Sequence, residues 1–194
     1  MKNLLQNIRS CTLCADQLPL GPRPIVVARP TSKIILLSQA PGSIVHDVGK
    51  PWADKSGDNL RDWLGVDEDI FYNPDQFAVV PMGFCYPGRG KSGDLPPMKI
   101  CAPTWHPELL SKIKDVRLTL LIGKYAQDAY LNSPYKTLTQ NVKKFEQFLP
   151  KYFPLPHPSP RNNIWQAKNQ WFVQEVIPSL KNIIQNLLFF DNRS

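Results

Sequence analysis

No apolar run in this chain approaches the roughly 20 residues needed to span a bilayer, and the N-terminus lacks the long apolar stretch of a signal peptide. A cytoplasmic protein with no membrane contact is therefore expected. Acidic side chains are in short supply: 16 stand against 23 Lys and Arg, giving a formal charge of +7 and a pI near 9.3. That imbalance favours a polyanionic partner, although a merely basic protein would share it. No internal repeat, low-complexity tract or linker divides the 194 residues. The length suits one domain with a substantial core and is short for two, so a single domain over 1–194, acting as a monomer, is expected. The end of the stretch Asn182 to Ser194 is expected to fray.

Proline, by contrast, is plentiful. The 20 prolines cluster at Leu18 to Pro30, Pro81 to Pro107 and Pro150 to Pro160. They alternate with aromatic and aliphatic residues, so these segments read as ordered loops. Between them, short apolar runs fit buried strands at Lys33 to Ser38, Phe77 to Met82, Leu118 to Ile122 and Tyr152 to Leu155. Helical spacing marks Asp58 to Leu64, with Ser56 or Asp58 as cap, then Tyr125 to Leu131, Thr139 to Phe148 and Gln170 to Leu188. Strands alternating with helices predict an α/β fold, a three-layer α/β/α sandwich on a four-stranded parallel sheet. Ligands then belong at the carboxyl ends of the strands.

The segment Pro156-His157-Pro158-Ser159-Pro160-Arg161-Asn162 follows the last of those strands, with Trp165, Lys168, Asn169 and Trp171 beyond it. Pro158 and Pro160 fix φ and remove backbone donors, so the loop is held out of regular structure and presents its side chains. These words, with Ala167 to Trp171, resemble the third motif of the uracil-DNA glycosylase superfamily, most closely its single-strand-selective monofunctional branch. The resemblance implies a DNA repair hydrolase that cleaves the N-glycosidic bond of uracil in DNA and leaves an abasic site. It implies that His157 donates a hydrogen bond to the departing base, for which a neutral imidazole suffices. Ser159, Arg161 and Asn162 would hold the phosphate backbone, and Lys168 would extend the basic surface. No lysine has a visible reason to form a Schiff base, so strand cleavage is not expected.

After the first predicted strand the chain reads Ser38-Gln39-Ala40-Pro41-Gly42, then Gly49-Lys50-Pro51-Trp52-Ala53-Asp54-Lys55-Ser56-Gly57-Asp58. Gln39, Ala40, Pro41 and Gly42 offer backbone groups at a strand terminus, where a base carbonyl or a developing anion can be held. This stretch resembles the first motif of the bacterial and archaeal glycosylases that read Gly-Glu-Ala-Pro-Gly. Asp54-x-Ser56-Gly57-Asp58 is similar to a segment of the broad-specificity thermophile glycosylases whose first aspartate is the proposed water activator. A carboxylate there can stabilise an oxocarbenium-like sugar and orient water; an aspartate satisfying the amides of a helix N-terminus has the same sequence signature. Trp52 aligns with the aromatic residue that stacks on the extruded base, and an ordinary core tryptophan fits equally well. Of the other histidines, His46 is a candidate for phosphate or water, and His106 reads as structural.

The four cysteines form two pairs, Cys11-x-x-Cys14 and Cys85 with Cys101, fifteen residues lying between the latter two. The spacing resembles the ligand set of the [4Fe–4S] cluster in the Gly-Glu-Ala-Pro-Gly glycosylases. Zinc on the same four thiolates, or four free thiols, are the alternatives. A cluster would pin the N-terminal arm to the loop 85–101, whose Arg89 and Lys91 would then face DNA.

The pattern departs from the family in two places. Ala40 stands where the common uracil glycosylases carry their water-activating aspartate, and Pro81 stands where the cluster-bearing branch reads the uracil edge with asparagine. Base selection then falls to backbone groups, Asn59, Asn73 or the segment Met82 to Gly88 as an aromatic wall. A catalytically silent DNA-binding module and a glycosylase for hypoxanthine or xanthine are the alternative functions.

Overall fold

A continuous apolar run such as Ile34-Ile35-Leu36-Leu37 is buried on both faces only in the middle of a covered sheet, because successive side chains point to opposite sides. The computed structural model describes residues 1–190; the last part of the tail expected to fray, 191–194, lies outside the described residues. In chain order the elements are α1 (Lys2–Arg9), β1 (Ile34–Leu37), α2 (Ser43–Val48), α3 (Lys55–Leu64), α4 (Glu68–Tyr72), β2 (Phe77–Val79), β3 (Arg89–Gly90), β4 (Gly93–Asp94), α5 (Cys101–Ser111), β5 (Leu118–Ile122), α6 (Lys124–Tyr130), α7 (Leu138–Lys143), β6 (Tyr152–Leu155), α8 (Asn163–Lys168) and α9 (Ile177–Gln185). Strands β2, β1, β5 and β6 form, in that order, one parallel sheet.

Alternation along β1 sorts the core into two layers. Ile34 and Leu36 pack with Leu60, Trp63 and Leu64 of α3, Val142 of α7 and Leu180 and Ile184 of α9. Ile35 and Leu37 face the other way, onto Leu4, Leu5 and Ile8 of α1, Leu109 of α5 and Ala126 of α6. The result is the expected sandwich, helices on both faces of a four-stranded parallel sheet. Pro154 sits within β6, which is tolerated because β6 is an edge strand and needs no ladder donor on its outer side. The order β2-β1-β5-β6 puts the reversal of winding between β1 and β5, so the crevice opens beyond the carboxyl ends of these strands.

Several local expectations are corrected. The cap of α3 is Asp54, whose carboxylate accepts the Gly57 N–H at 3.1 Å; Ser56 and Asp58 lie inside the helix. The proline-rich segment 81–107 is not loop throughout, since α5 begins at Cys101 and contains Pro103 and Pro107. Pro103 is tolerated because a first-turn N–H has no intrahelical partner to lose. The stretch 139–148 breaks after α7 into a 3₁₀ turn over Phe145–Phe148. The long C-terminal helix is wound with π turns at Phe172–Val176 and Asn186–Phe190 on either side of α9. Pro178, at the start of α9, cannot donate into the turn before it, which fits the wider winding there.

Candidate active site

Three chain segments leave the sheet at its carboxyl edge and enclose a cleft of about 430 Å³. From β1 come Ser38, Gln39, Ala40, Pro41 and Gly42; beyond β2 comes Pro81; beyond β6 come His157, Ser159, Arg161 and Asn162. The first segment is tied to the second through the backbone, Met82 N–H donating to the Ser38 carbonyl at 2.8 Å and Gly83 N–H to that of Gln39 at 3.0 Å. Pro51, Trp52, Asp54 and Ser56 close the cleft from the start of α3.

Trp52 belongs to the core and to the wall of the cleft at once. It is only 8% exposed, its ring 5.8 Å from the His157 ring between centroids and tilted by 34°. Its backbone has φ 57°, a left-handed conformation rarely adopted by a bulky residue. The Tyr72 hydroxyl, at 3.3 Å, and Arg61 Nη1, at 3.5 Å, donate to its carbonyl and hold it there. Gly57 lies directly beneath: a Cβ at that position would come 1.8 Å from the Trp52 carbonyl oxygen. Asp54 likewise has both a structural task and a place at the cleft. It caps α3 and lines the cleft, and a carboxylate has acceptor capacity left after taking one amide.

The loop after β6 fixes His157 from several sides. Ser159 N–H donates to Nδ1 at 3.2 Å, the Asn162 amide donates to the His157 carbonyl at 2.6 Å, and the Asn59 amide donates to the Pro158 carbonyl at 2.8 Å. An amide N–H can only donate, so Nδ1 is the acceptor and a neutral ring carries its hydrogen on Nε2. Burial lowers the imidazole pKa from its ordinary value, and the Asp54 carboxylate opposes that shift. The ring is thus neutral at pH 7, with an N–H to offer.

The sequence-predicted DNA contacts separate. Ser159 caps the turn Pro160–Asn162 by accepting the Arg161 N–H, and the Asn162 amide is occupied by His157. Exposed Arg161 donates from Nη1 to the Ser92 carbonyl at 3.2 Å, and exposed Lys168 stands on α8, away from the cleft lining. Neither asparagine suggested for base reading lines the cleft: Asn59 holds the histidine loop, and Asn73 accepts the Asp75 N–H beyond α4. The segment 82–88 gives no aromatic wall, since Phe84 and Tyr86 are buried elsewhere. His46 is buried near Tyr86, its Nδ1 without a partner among the described residues, and so is not placed to meet phosphate. His106 is buried between the Tyr130 hydroxyl at 2.6 Å and the Pro81 carbonyl at 3.0 Å.

Sequence reasoning missed one further wall of the cleft. The hairpin β3–β4 brings Ser92, Gly93 and Asp94 to its mouth. The only local signal was the turn-forming run Gly90-Lys91-Ser92-Gly93, and nothing in it shows what the turn faces.

Away from the cleft, Cys11, Cys14, Cys85 and Cys101 line one small apolar cavity with Leu18, Phe84 and Trp105. Phe84 N–H donates to Cys101 Sγ at 3.4 Å, and Arg23 supplies a backbone hydrogen bond to Cys85. Burial, then the neighbouring thiols, pushes Cys85 up to about 11 and Cys101 up to about 12. Without a cation these sulfurs stay protonated. Among the described residues, no group of three or more Cys, His, Asp or Glu side chains is placed to hold a metal ion.

A profile of the uracil DNA glycosylase superfamily matches residues 25–181, a span that includes the whole cleft.

Proposed function

The chain belongs to the uracil DNA glycosylase superfamily, and from that premise we propose that it hydrolyses the N-glycosidic bond of uracil in DNA, leaving an abasic site. The observation that carries this reading is the Ser159 N–H on His157 Nδ1, which leaves Nε2–H as a donor in a cleft that also offers an aromatic face. A base turned out of the helix stacks on Trp52, a contact of about 1–3 kcal/mol that helps offset unstacking. As the bond from C1′ to the base breaks, negative charge moves to the base and is met at a carbonyl oxygen by His157. The sugar becomes cationic, and Asp54 stabilises it and orients water. Ser159 and Arg161, which line the cleft, hold the phosphate backbone, and Lys168 at the end of α8 extends the basic surface beyond it.

Pro81 lines the cleft without a side-chain donor or acceptor to read uracil. That favours hypoxanthine or xanthine as the second substrate reading. Base release is measured from matched single-stranded and duplex oligonucleotides carrying each of the three bases. Uracil release that Asp54→Asn reduces by about 100-fold or more is expected. Asparagine caps a helix as well as aspartate does, so this change removes the charge and keeps the fold. Tight DNA binding without release of any base would instead identify a silent module.

The four cysteines further incline the reading toward the iron–sulfur branch. The four sulfurs share one apolar cavity and amide N–H groups reach two of them, the surroundings that thiolate ligands of a [4Fe–4S] cluster need. Cys11, Cys14, Cys85 and Cys101 would hold it, away from the cleft; it would neutralise thiolate charge and staple the N-terminal arm to α5. In anaerobically purified protein, Cys14→Ala is expected to lose iron and to lower the melting temperature by more than about 5 °C, at about 2–4 °C per kcal/mol for a chain of this size. Equal melting temperatures, with no iron in the parent, would remove the cluster from the reading.

A further inference from the structure

Asp94 reaches the cleft on a hairpin that is anchored from two sides. Arg89 pairs with Asp94 and Gly90 with Gly93, and Leu95 N–H closes the base onto the Gly88 carbonyl at 2.8 Å. Gln39, from the segment after β1, donates to the Leu95 carbonyl at 3.3 Å, and Arg161, from the loop after β6, donates to that of Ser92. The approach is close: a Cβ on Gly93 would come 2.6 Å from Arg161 Nη1, and one on Gly42 would come 3.4 Å from Asp94 Oδ2. The hairpin thus bridges the first and third motifs across the mouth of the cleft.

The carboxylate itself has no structural task. Among the described residues no donor hydrogen-bonds to it, whereas Asp54 has one oxygen committed to α3. The charged groups that act on Asp94 are Arg161 from the loop after β6, Arg89 on its own hairpin and Asp54 at the start of α3. If His157 holds the base and Arg161 the phosphate, the sugar lies between them, on the side that Asp94 faces.

We propose that Asp94 is a second catalytic carboxylate of this cleft, facing the deoxyribose and the water that attacks it. The inference rests on the glycosylase reading above and deepens it. The C1′–N bond breaks with its electron pair going to the base, whose anion His157 stabilises and solvent protonates. The sugar cation sits between two carboxylates. The oxygen of water bonds to C1′, and the proton it loses passes to Asp94 and then to solvent, which the exposed hairpin adjoins. Asp54, tied to its helix, supplies fixed charge, and Asp94 takes the proton.

The test is single-turnover base release by the full chain on a single-stranded uracil oligonucleotide, beside Asp94→Asn, with DNA affinity and melting measured on the same samples. Asp94→Asn is expected to slow release by about 100-fold or more. It should melt with the parent, because Asp94 is exposed, and should bind DNA as tightly or more tightly, because Arg161 loses a competing anion. Partial desolvation of the carboxylate where it meets the cleft raises the Asp94 pKa, so the parent rate should fall on acidification through that raised value and the variant should lose this limb. An active parent with an Asp94→Asn rate within a few-fold and tighter binding would make Asp94 a counter-ion of Arg161 and overturn the proposal alone. A parent that releases no base overturns the glycosylase reading and this inference with it.

Discussion

His157→Ala is expected to slow single-turnover release of uracil by about 100- to 1,000-fold, with little change in DNA affinity. The magnitude is that of deleting one preorganised donor from a site where negative charge develops in a water-poor cleft. The donor is preorganised because the loop fixes it before any substrate arrives: Ser159 sets the tautomer, Asn162 and Asn59 hold the backbone on either side of Pro158, and the ring lies beside Trp52. The effect should fall on the chemical step and not on binding, since the charge that Nε2–H meets is present only as the bond breaks. Burial keeps the imidazole neutral at pH 7, so the parent rate should be flat from about pH 7 to 8 with no limb from His157 ionisation. A His157→Ala rate within a few-fold of the parent, at unchanged melting temperature, would take the histidine out of catalysis.

The largest stability effect belongs to a residue outside the chemistry. Gly57→Ala ordinarily gains up to about 1 kcal/mol in a helix. Here the added carbon would lie 1.8 Å from the Trp52 carbonyl oxygen and 2.7 Å from its carbonyl carbon, both backbone atoms. They cannot swing aside as a side chain would, because Trp52 is already left-handed and its carbonyl is held by Tyr72 and Arg61. The first turn of α3 must move, and with it the Gly57 N–H that Asp54 caps. Overpacking against backbone costs about 3 kcal/mol or more, which exceeds the helix gain, so the melting temperature should drop by about 5–10 °C. Base release should fall too, since Trp52 and Asp54 shift together. A melting temperature at or above that of the parent would mean that the Trp52 turn yields.

The two effects divide along what each kind of information can carry. Strands β1 and β5 were legible because burial on both faces leaves an unbroken apolar run, and β6 despite Pro154 because it stands at an edge. The loop around His157 was legible because prolines write its stiffness into the sequence, and the cysteine pairs because spacing does. Periodicity said less at α5, where Pro103 and Pro107 hid the whole helix, and where several polar residues compete to cap one helix, as Ser56, Asp58 and Asp54 did.

By itself, then, the sequence determined the α/β class, the four strands of the parallel sheet and the motif segments that follow them, since these depend on neighbours in the chain. Only the tertiary structure decided that Gly57 presses on Trp52, that Asn59 holds the histidine loop and that a glycine-rich hairpin turns Asp94 toward Gly42 and Arg161. Those contacts join residues on separate elements, and contact between elements is set by how the sheet stacks them, a relation that no local pattern of side chains records.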